Sequence, residues 1–261
     1  MSDHLHALEQ QSIHVIREAY ARLKPLAMLW SLGKDSNSLL WMVRKAFLGQ
    51  VPFPVILLDT GNEFPEVYAF RDRLLKEWGL DYINAQCPPV EETDASLPPA
   101  ARKTLGLKRL IAERAFRGML LGIRRDEQSI RGKERVFSPR RPDGSWDFRD
   151  QPAEFWDQYQ TEFPAEAHVR VHPLLAWTEL DVWRYIEREG IPVCELYFAR
   201  DGKRFRSLGE SDITFPIASK AASIAEIIEE LEQTRESERA GRAMDHERED
   251  AFERLRAAGY M

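Results

Sequence analysis

Residues Ser31 to Ser36 read Ser-Leu-Gly-Lys-Asp-Ser, and their types suit the gripping of an anion. They follow an apolar run, Leu26 to Trp30, and precede a helical pattern that begins near Asn37. A strand, a small-residue turn and a helix N-terminus converge backbone N–H groups on one point, where the helix dipole adds positive charge. Gly33 allows close approach of a ligand, Lys34 adds a full charge, and Ser31 and Ser36 add hydroxyl donors. Gly-x-x-x-x-Gly-Lys-Ser/Thr occurs nowhere, so the turn is not a Walker A loop. A second apolar run, Val55 to Leu58, ends in Asp59-Thr60-Gly61. Asp59 is either a turn residue or a ligand contact. A third run, Met119 to Leu121, ends in Gly122-Ile123-Arg124-Arg125. Guanidinium forks bind sulfate or phosphate oxygens two at a time, so Arg124 and Arg125 are candidates for an oxyanion. Arg131, Lys133 and Arg135 follow; they read equally as further anion ligands or as a solvated helix in which Arg131 and Arg135 share a face.

Three polar turns at three strand ends require elements that bring them together. Leu5, Leu8, Ile16, Tyr20 and Leu23 recur at helical spacing. The strand at 26–30 is followed by a helix through Phe47, a strand at 55–58 and a helix over about 65–78. A strand at 81–85, a Pro-rich loop at 87–99, a helix near 104–116 and the strand at 119–121 complete the pattern. Parallel strands joined by helices predict a doubly wound α/β sheet, whose ligands sit beyond the carboxyl ends of the strands. Further on, Thr178 is placed as a helix cap with Asp181 in the first turn, and Trp183 as core. The C-terminal region reads as charged helices at 224–235 and 245–257, the first with an apolar stripe that packs on the body of the protein. The expected organisation is a catalytic domain over 1–220 and a helical extension over 221–261.

The 261 residues are 43% hydrophobic and 31% charged, with a net charge of −6. That is the composition of a globular enzyme. Residues 101–150 hold 14 Lys/Arg against 7 Asp/Glu, and residues 223–261 hold 6 against 11. A basic middle in an acidic chain suits a small polyanion better than nucleic acid. Salt bridging between the two segments is the other reading. Two cysteines, Cys87 and Cys194, cannot supply a disulfide framework, a cysteine metal site or the ligands of an iron–sulfur cluster. No signal peptide or membrane-length apolar stretch is seen, and a cytoplasmic location is expected. His168 and His172 lie in a strand-like stretch and are not a helical metal pair; no protein metal site is expected.

The Ser31–Ser36 turn resembles the PP-loop of the ATP pyrophosphatases. Longer motifs sharpen the likeness: Arg131-Gly-Lys133-Glu134-Arg135, Trp146-Asp147, Arg170 to Trp183, Arg204-Phe-Arg206-Ser-Leu-Gly209 and Ser237-Glu-Arg239-Ala-Gly241-Arg242. Together they resemble the family of sulfate adenylyltransferases and phosphoadenylyl-sulfate reductases, over nearly the whole chain. The resemblance implies an adenine nucleotide alpha hydrolase-like fold and ATP as substrate. It implies a site of Ser31, Gly33, Lys34, Asp35 and Ser36 at the phosphates, with Asp59, Thr60 and Gly61 near the nucleotide. Arg124 and Arg125 would face the sulfuryl group. Arg204 and Arg206 would join the anion site or form a solvated hairpin. The implied reaction is ATP plus sulfate giving adenylyl sulfate and pyrophosphate, with Mg2+ on the phosphates and a GTPase subunit as partner. Two features depart from the family patterns, one from the sulfurylase branch and one from the reductase branch. The stretch from Tyr197 to Arg204 is short where an insertion is expected, which bears on the GTPase partnership. No cysteine follows Cys194, which argues against thiol-dependent reduction. Adenylylation of another acceptor, a reductase-like activity and a nucleotide-binding subunit without turnover are the alternatives.

Overall fold

In the computed structural model, residues 2–89, 101–156, 158–234 and Glu238 are described. The chain runs α1 (Ser2–Arg22), β1 (Leu26–Leu29), α2 (Lys34–Ala46), β2 (Val55–Asp59), α3 (Pro65–Trp78) and β3 (Tyr82–Gln86). Then come α4 (Ala101–Arg114), β4 (Gly118–Leu120), β5 (Phe137–Arg140), β6 (His168–Val171) and α5 (Glu179–Glu189). The pair β7 (Lys203–Arg204) and β8 (Ile217–Ala218) and the helix α6 (Ile224–Gln233) follow.

Six strands form one sheet in the order β3-β2-β1-β4-β6-β5. All neighbours are parallel except β5, which runs antiparallel to β6. Strands β1, β2 and β4 are buried on both faces, which is why they read as unbroken apolar runs and not as alternation. From β1 the chain steps to β2 on one side, and β4 later pairs on the other. The order therefore reverses at β1, and the crevice between the ends of β1 and β4 is the switch point where such sheets bind ligands.

The element boundaries differ from the sequence expectation in instructive ways. Helix α2 starts at Lys34, three residues before Asn37, because Gly33 serves as its extended N-cap. Arg131 and Arg135 do not share a helical face: two short 3-10 turns, Arg125–Glu127 and Ser129–Lys133, replace the helix, and Arg135 lies beyond both. Thr178 and Asp181 form a reciprocal capping box at α5, and Trp183 is fully buried. Helix α6 covers 224–233 and packs Ile227, Ile228 and Leu231 inward, against α5. The expected second C-terminal helix, at 245–257, lies outside the described residues.

Candidate functional site

Two strand ends make the site. After β1, Leu32 turns the chain at φ +64°, an uncommon conformation for a side chain with a Cβ, and does so fully buried. Gly33 then caps α2, and the backbone N–H of Lys34 donates to Tyr197 Oη at 2.9 Å. Ser36 Oγ donates to Gly33 O at 3.0 Å and accepts from Ser31 Oγ at 3.2 Å. Trp30 Nε1 donates to Asn37 Oδ1 at 2.7 Å, pinning the strand to the helix it feeds. After β4, Gly122 lies against this turn. A Cβ there would sit 3.1 Å from the Asp35 carbonyl carbon and 3.1 Å from Ser36 N. The close approach of two backbones requires glycine at that point.

The turn and the β4 end share an ion-pair network. Lys34 Nζ donates to Asp35 Oδ2 at 3.1 Å and to Glu238 Oε1. Arg124 donates to Asp35 Oδ1, to Glu238 Oε2 and, at 2.9 Å, to Asp126 Oδ1. Glu127 Oε1 accepts from the Arg124 backbone N–H at 3.1 Å, and Glu127 Oε2 pairs with Arg131 at 2.5 Å. Lys34 is 1% exposed and Arg124 fully buried. Burial would lower the Arg124 pKa, but Glu238, Glu127 and Asp126 raise it above the ordinary arginine value. Burial would likewise raise Glu238, but Lys34 and Arg124 hold its carboxyl well below the usual carboxylate range.

A cavity of about 200 Å³ opens at this network. Ser31, Gly33, Lys34, Asp35, Ser36, Glu127, Arg131 and Glu238 line its polar side. Leu29, Trp30, Leu57, Leu121 and Ile123 belong to its apolar side. A pocket with a charged end and an apolar wall suits a molecule built the same way, anionic at one end and flat and apolar at the other.

The structure brings together Ser31, Gly33, Lys34, Asp35, Ser36, Arg124 and Arg131. It places the other candidates elsewhere. Arg125 follows Arg124 directly, yet its side chain is exposed and outside the cavity lining. Lys133 sits over the Phe148 ring, and Arg135 Nε donates to Pro152 O at 3.1 Å. Arg204 pairs with Glu230 at 2.5 Å and Arg206 with Glu179 at 2.8 Å, so both guanidinium groups engage carboxylates. Asp59 accepts from Gly61 N (2.8 Å), Tyr68 Oη (2.7 Å) and Asn84 Nδ2 (3.0 Å). Those donors outweigh burial and lower its pKa, while Tyr68 is pushed up to about 12. The carboxylate thus shapes the turn in which Gly61 takes φ +80°. Thr60 Oγ1, beside it, is buried without a hydrogen-bond partner among the described residues.

Two participants escaped the sequence reading. Tyr197 and Glu238 stand 163 and 204 residues from Lys34, and no local pattern signals either. Glu238 does lie in the Ser237–Arg242 motif, which supplied a resemblance but no role. Glu127, four residues before Arg131 in the chain, both pairs with it and caps the Arg124 turn.

An open, mostly parallel sheet with a glycine–lysine turn into a helix at its switch point defines an α/β fold of the adenine nucleotide alpha hydrolase type. A family model described as phosphoadenosine phosphosulfate reductase domain matches residues 25–216. Sulfate adenylyltransferase subunit 2 of Rhizobium johnstonii is 39% identical over 297 aligned positions, covering 100% of this chain and 94% of that one. The protein of the same name from Pseudomonas aeruginosa is 38% identical, covering 98% of each. Among solved structures, phosphoadenylyl-sulfate reductase from Candida auris superposes with a TM-score of 0.52 at 17% identity, over 82% of this chain and 98% of that one. Candida glabrata FMN adenylyltransferase, in complex with FMN and the ATP analogue AMPCPP, gives 0.55 at 17% identity, over 82% and 66%. The chain belongs to the phosphoadenosine phosphosulfate reductase domain family and, within it, to the sulfate adenylyltransferase subunit 2 proteins.

Proposed function

We propose that this chain catalyses adenylyl transfer from ATP to sulfate, giving adenylyl sulfate and pyrophosphate. The observation that carries the reading is that Lys34, at the N-terminus of α2 in the cavity wall, and the buried Arg124, at the end of β4 behind it, are held together at the switch point by the shared carboxylates Asp35 and Glu238. Full-length similarity to sulfate adenylyltransferase subunit 2 supports it. In this reading the apolar wall takes adenine and the Ser31–Ser36 turn takes the β and γ phosphates. A sulfate oxygen attacks the α-phosphorus, the bond to the β-phosphate oxygen breaks, and pyrophosphate carries that electron pair away. Sulfate is already ionised at neutral pH, so no general base is needed. The work is positioning and neutralisation of charge. Lys34 stabilises the leaving pyrophosphate, and Arg131 in the cavity wall, with Arg124 buried beside it, orients the sulfuryl oxygens. Mg2+ would enter on the ATP phosphates, where it usually keeps several waters and few protein ligands.

The thiols speak against the reductase reading. Burial lifts the Cys87 thiol to about 11 and raises Cys194 as well, so neither supplies a thiolate near neutral pH. We read residues 1–220 as the catalytic unit and 221–261 as an extension, with α6 seated on α5 and Glu230 paired to Arg204. A partner subunit, of the GTPase kind, is the proposed companion, since the relatives are named as one subunit of an enzyme. Their alignment spans 297 positions against the 261 residues here, so at least 36 positions of the relative have no counterpart. The test is sulfate-dependent exchange of labelled pyrophosphate into ATP. Folded protein that binds ATP but shows no exchange with sulfate refutes the activity.

A further inference from the structure

The cavity already holds an anion supplied by the chain itself. Glu238 reaches Lys34 with one carboxylate oxygen and Arg124 with the other. That is the bridging geometry of a bound phosphate or sulfate. Only six per cent of its side chain is exposed, and neither cation reaches solvent while it is in place.

The local charge leaves little room for a second anion. Asp35 also engages both Lys34 and Arg124, Asp126 engages Arg124, and Glu127 engages Arg131. Glu63 and Lys103, which also line the cavity, pair with each other, so with Glu238 present five carboxylates face four cations. A triphosphate brought into such a site would be a buried polyanion without free counter-charge, which is prohibitive. One carboxylate has to withdraw. Asp35 lies in the first turn of α2, Asp126 is held by the Glu179 N–H at 2.7 Å, and Glu127 caps its own turn. Glu238 lies five residues past the end of α6 and belongs to no part of the sheet or its crossover helices.

Resting on the reading of this cavity as the triphosphate site, we propose that the Glu238 carboxylate is an internal stand-in for a substrate oxyanion. It keeps Lys34 and Arg124 neutralised and correctly spaced in the free enzyme, and yields Lys34 to the incoming phosphate and Arg124 to the sulfuryl group. Substrate affinity is then reduced by the fraction of molecules in which Glu238 is seated.

The experiment compares the full chain with Glu238→Gln and Glu238→Asp, using pyrophosphate and then ATP as calorimetric probes without sulfate. Seating in 90–99% of molecules would make Glu238→Gln bind both about 10- to 100-fold more tightly. KM for ATP falls in parallel. Pyrophosphate also raises the melting temperature of this variant more than that of the unaltered chain. Glu238→Asp is one methylene too short to span both cations and tightens binding by less, which provides the same test should the glutamine variant not fold. Unchanged or weakened pyrophosphate binding in the folded variants overturns the proposal, because Glu238 would then be structural or would assist the ligand. The functional reading fails separately, if the unaltered chain shows no sulfate-dependent exchange.

Discussion

Replacing Gly122 by alanine tests whether the anion site depends on the fit of two backbones. The added methyl would stand 3.1 Å from the Asp35 carbonyl carbon and Ser36 N, and 3.2 Å from Asp35 O. Ordinary contacts begin near 3.4 Å, so the start of α2 must retreat by roughly 0.3 Å or the end of β4 must bend away. Overpacking of this kind costs about 1–3 kcal/mol of stability. The catalytic loss follows from the displacement. A 1 Å misplacement of positioning groups costs about 10²-fold in rate, so 0.3 Å costs about fourfold if the effect scales logarithmically. Gly118→Ala is the matched comparison. Its methyl would fall 2.7 Å from Leu23 Cβ and Leu26 Cδ1, at the opposite end of the same strand and away from the cavity. Gly118→Ala should lower the melting temperature at least as much yet leave exchange per folded molecule near normal. Gly122→Ala should lower exchange per folded molecule several-fold. Equal exchange rates in the two variants, measured well below both melting temperatures, would refute the claim that this contact sets the site.

Lys34→Ala should reduce sulfate-dependent pyrophosphate exchange by on the order of 10²–10³, because the charge on the leaving group is lost; near-normal exchange in folded protein removes Lys34 from that role. Arg124→Lys replaces a buried fork by a point charge and should impair use of sulfate strongly, whereas Arg125→Lys, at an exposed side chain, should change it little. Steady-state kinetics with sulfate varied would expose the reverse order. Tyr197→Phe deprives the Lys34 N–H of its acceptor at 2.9 Å and should cost about 1–3 kcal/mol in chemical denaturation; a change under 0.5 kcal/mol would mean the contact is dispensable. His172 is held down at about 4, first by burial; Glu134 raises it, Arg140 and Arg170 lower it, and Nδ1 meets Arg135 O at 2.7 Å. Its Nε2 is buried with no acceptor among the described residues, so a proton there has nowhere to donate. The unfolded chain takes up that proton below about 6.5, so stability should fall as pH drops from 6.5 towards 4. His168 is held down to about 4 in the same way, so His172→Gln should reduce but not abolish the slope of that part of the profile, and an identical pH dependence of the melting temperature would contradict this.

The arrangement of elements was legible because buried parallel strands announce themselves as apolar runs, and their ends as polar turns. Leu26–Leu29 and Val55–Asp59 lie within a residue of the expected positions. The Ser31–Ser36 turn was equally legible, since strand, glycine, lysine and helix start are adjacent in the chain. The arginine-rich stretch was less so. Arg124 and Arg125 are neighbours with identical chemistry, yet one is wholly buried in the ion-pair network and the other is exposed. Arg204 and Arg206 read equally as anion ligands or as a solvated hairpin, but both are buried and Glu230 and Glu179 engage them.

What the amino-acid order determined alone was the local chemistry: a strand–Gly-Lys–helix turn and a cluster of guanidinium groups beyond another strand. Those depend on short-range spacing, which is written directly in the chain. Tertiary structure alone decided which charges meet. Tyr197 under the Lys34 N–H, Gly122 against the Asp35 backbone and Glu238 between Lys34 and Arg124 are contacts across 87 to 204 residues. The reason is physical. A buried ion pair depends on a few ångströms of geometry and on the removal of water, and both arise only when the sheet brings its strand ends together.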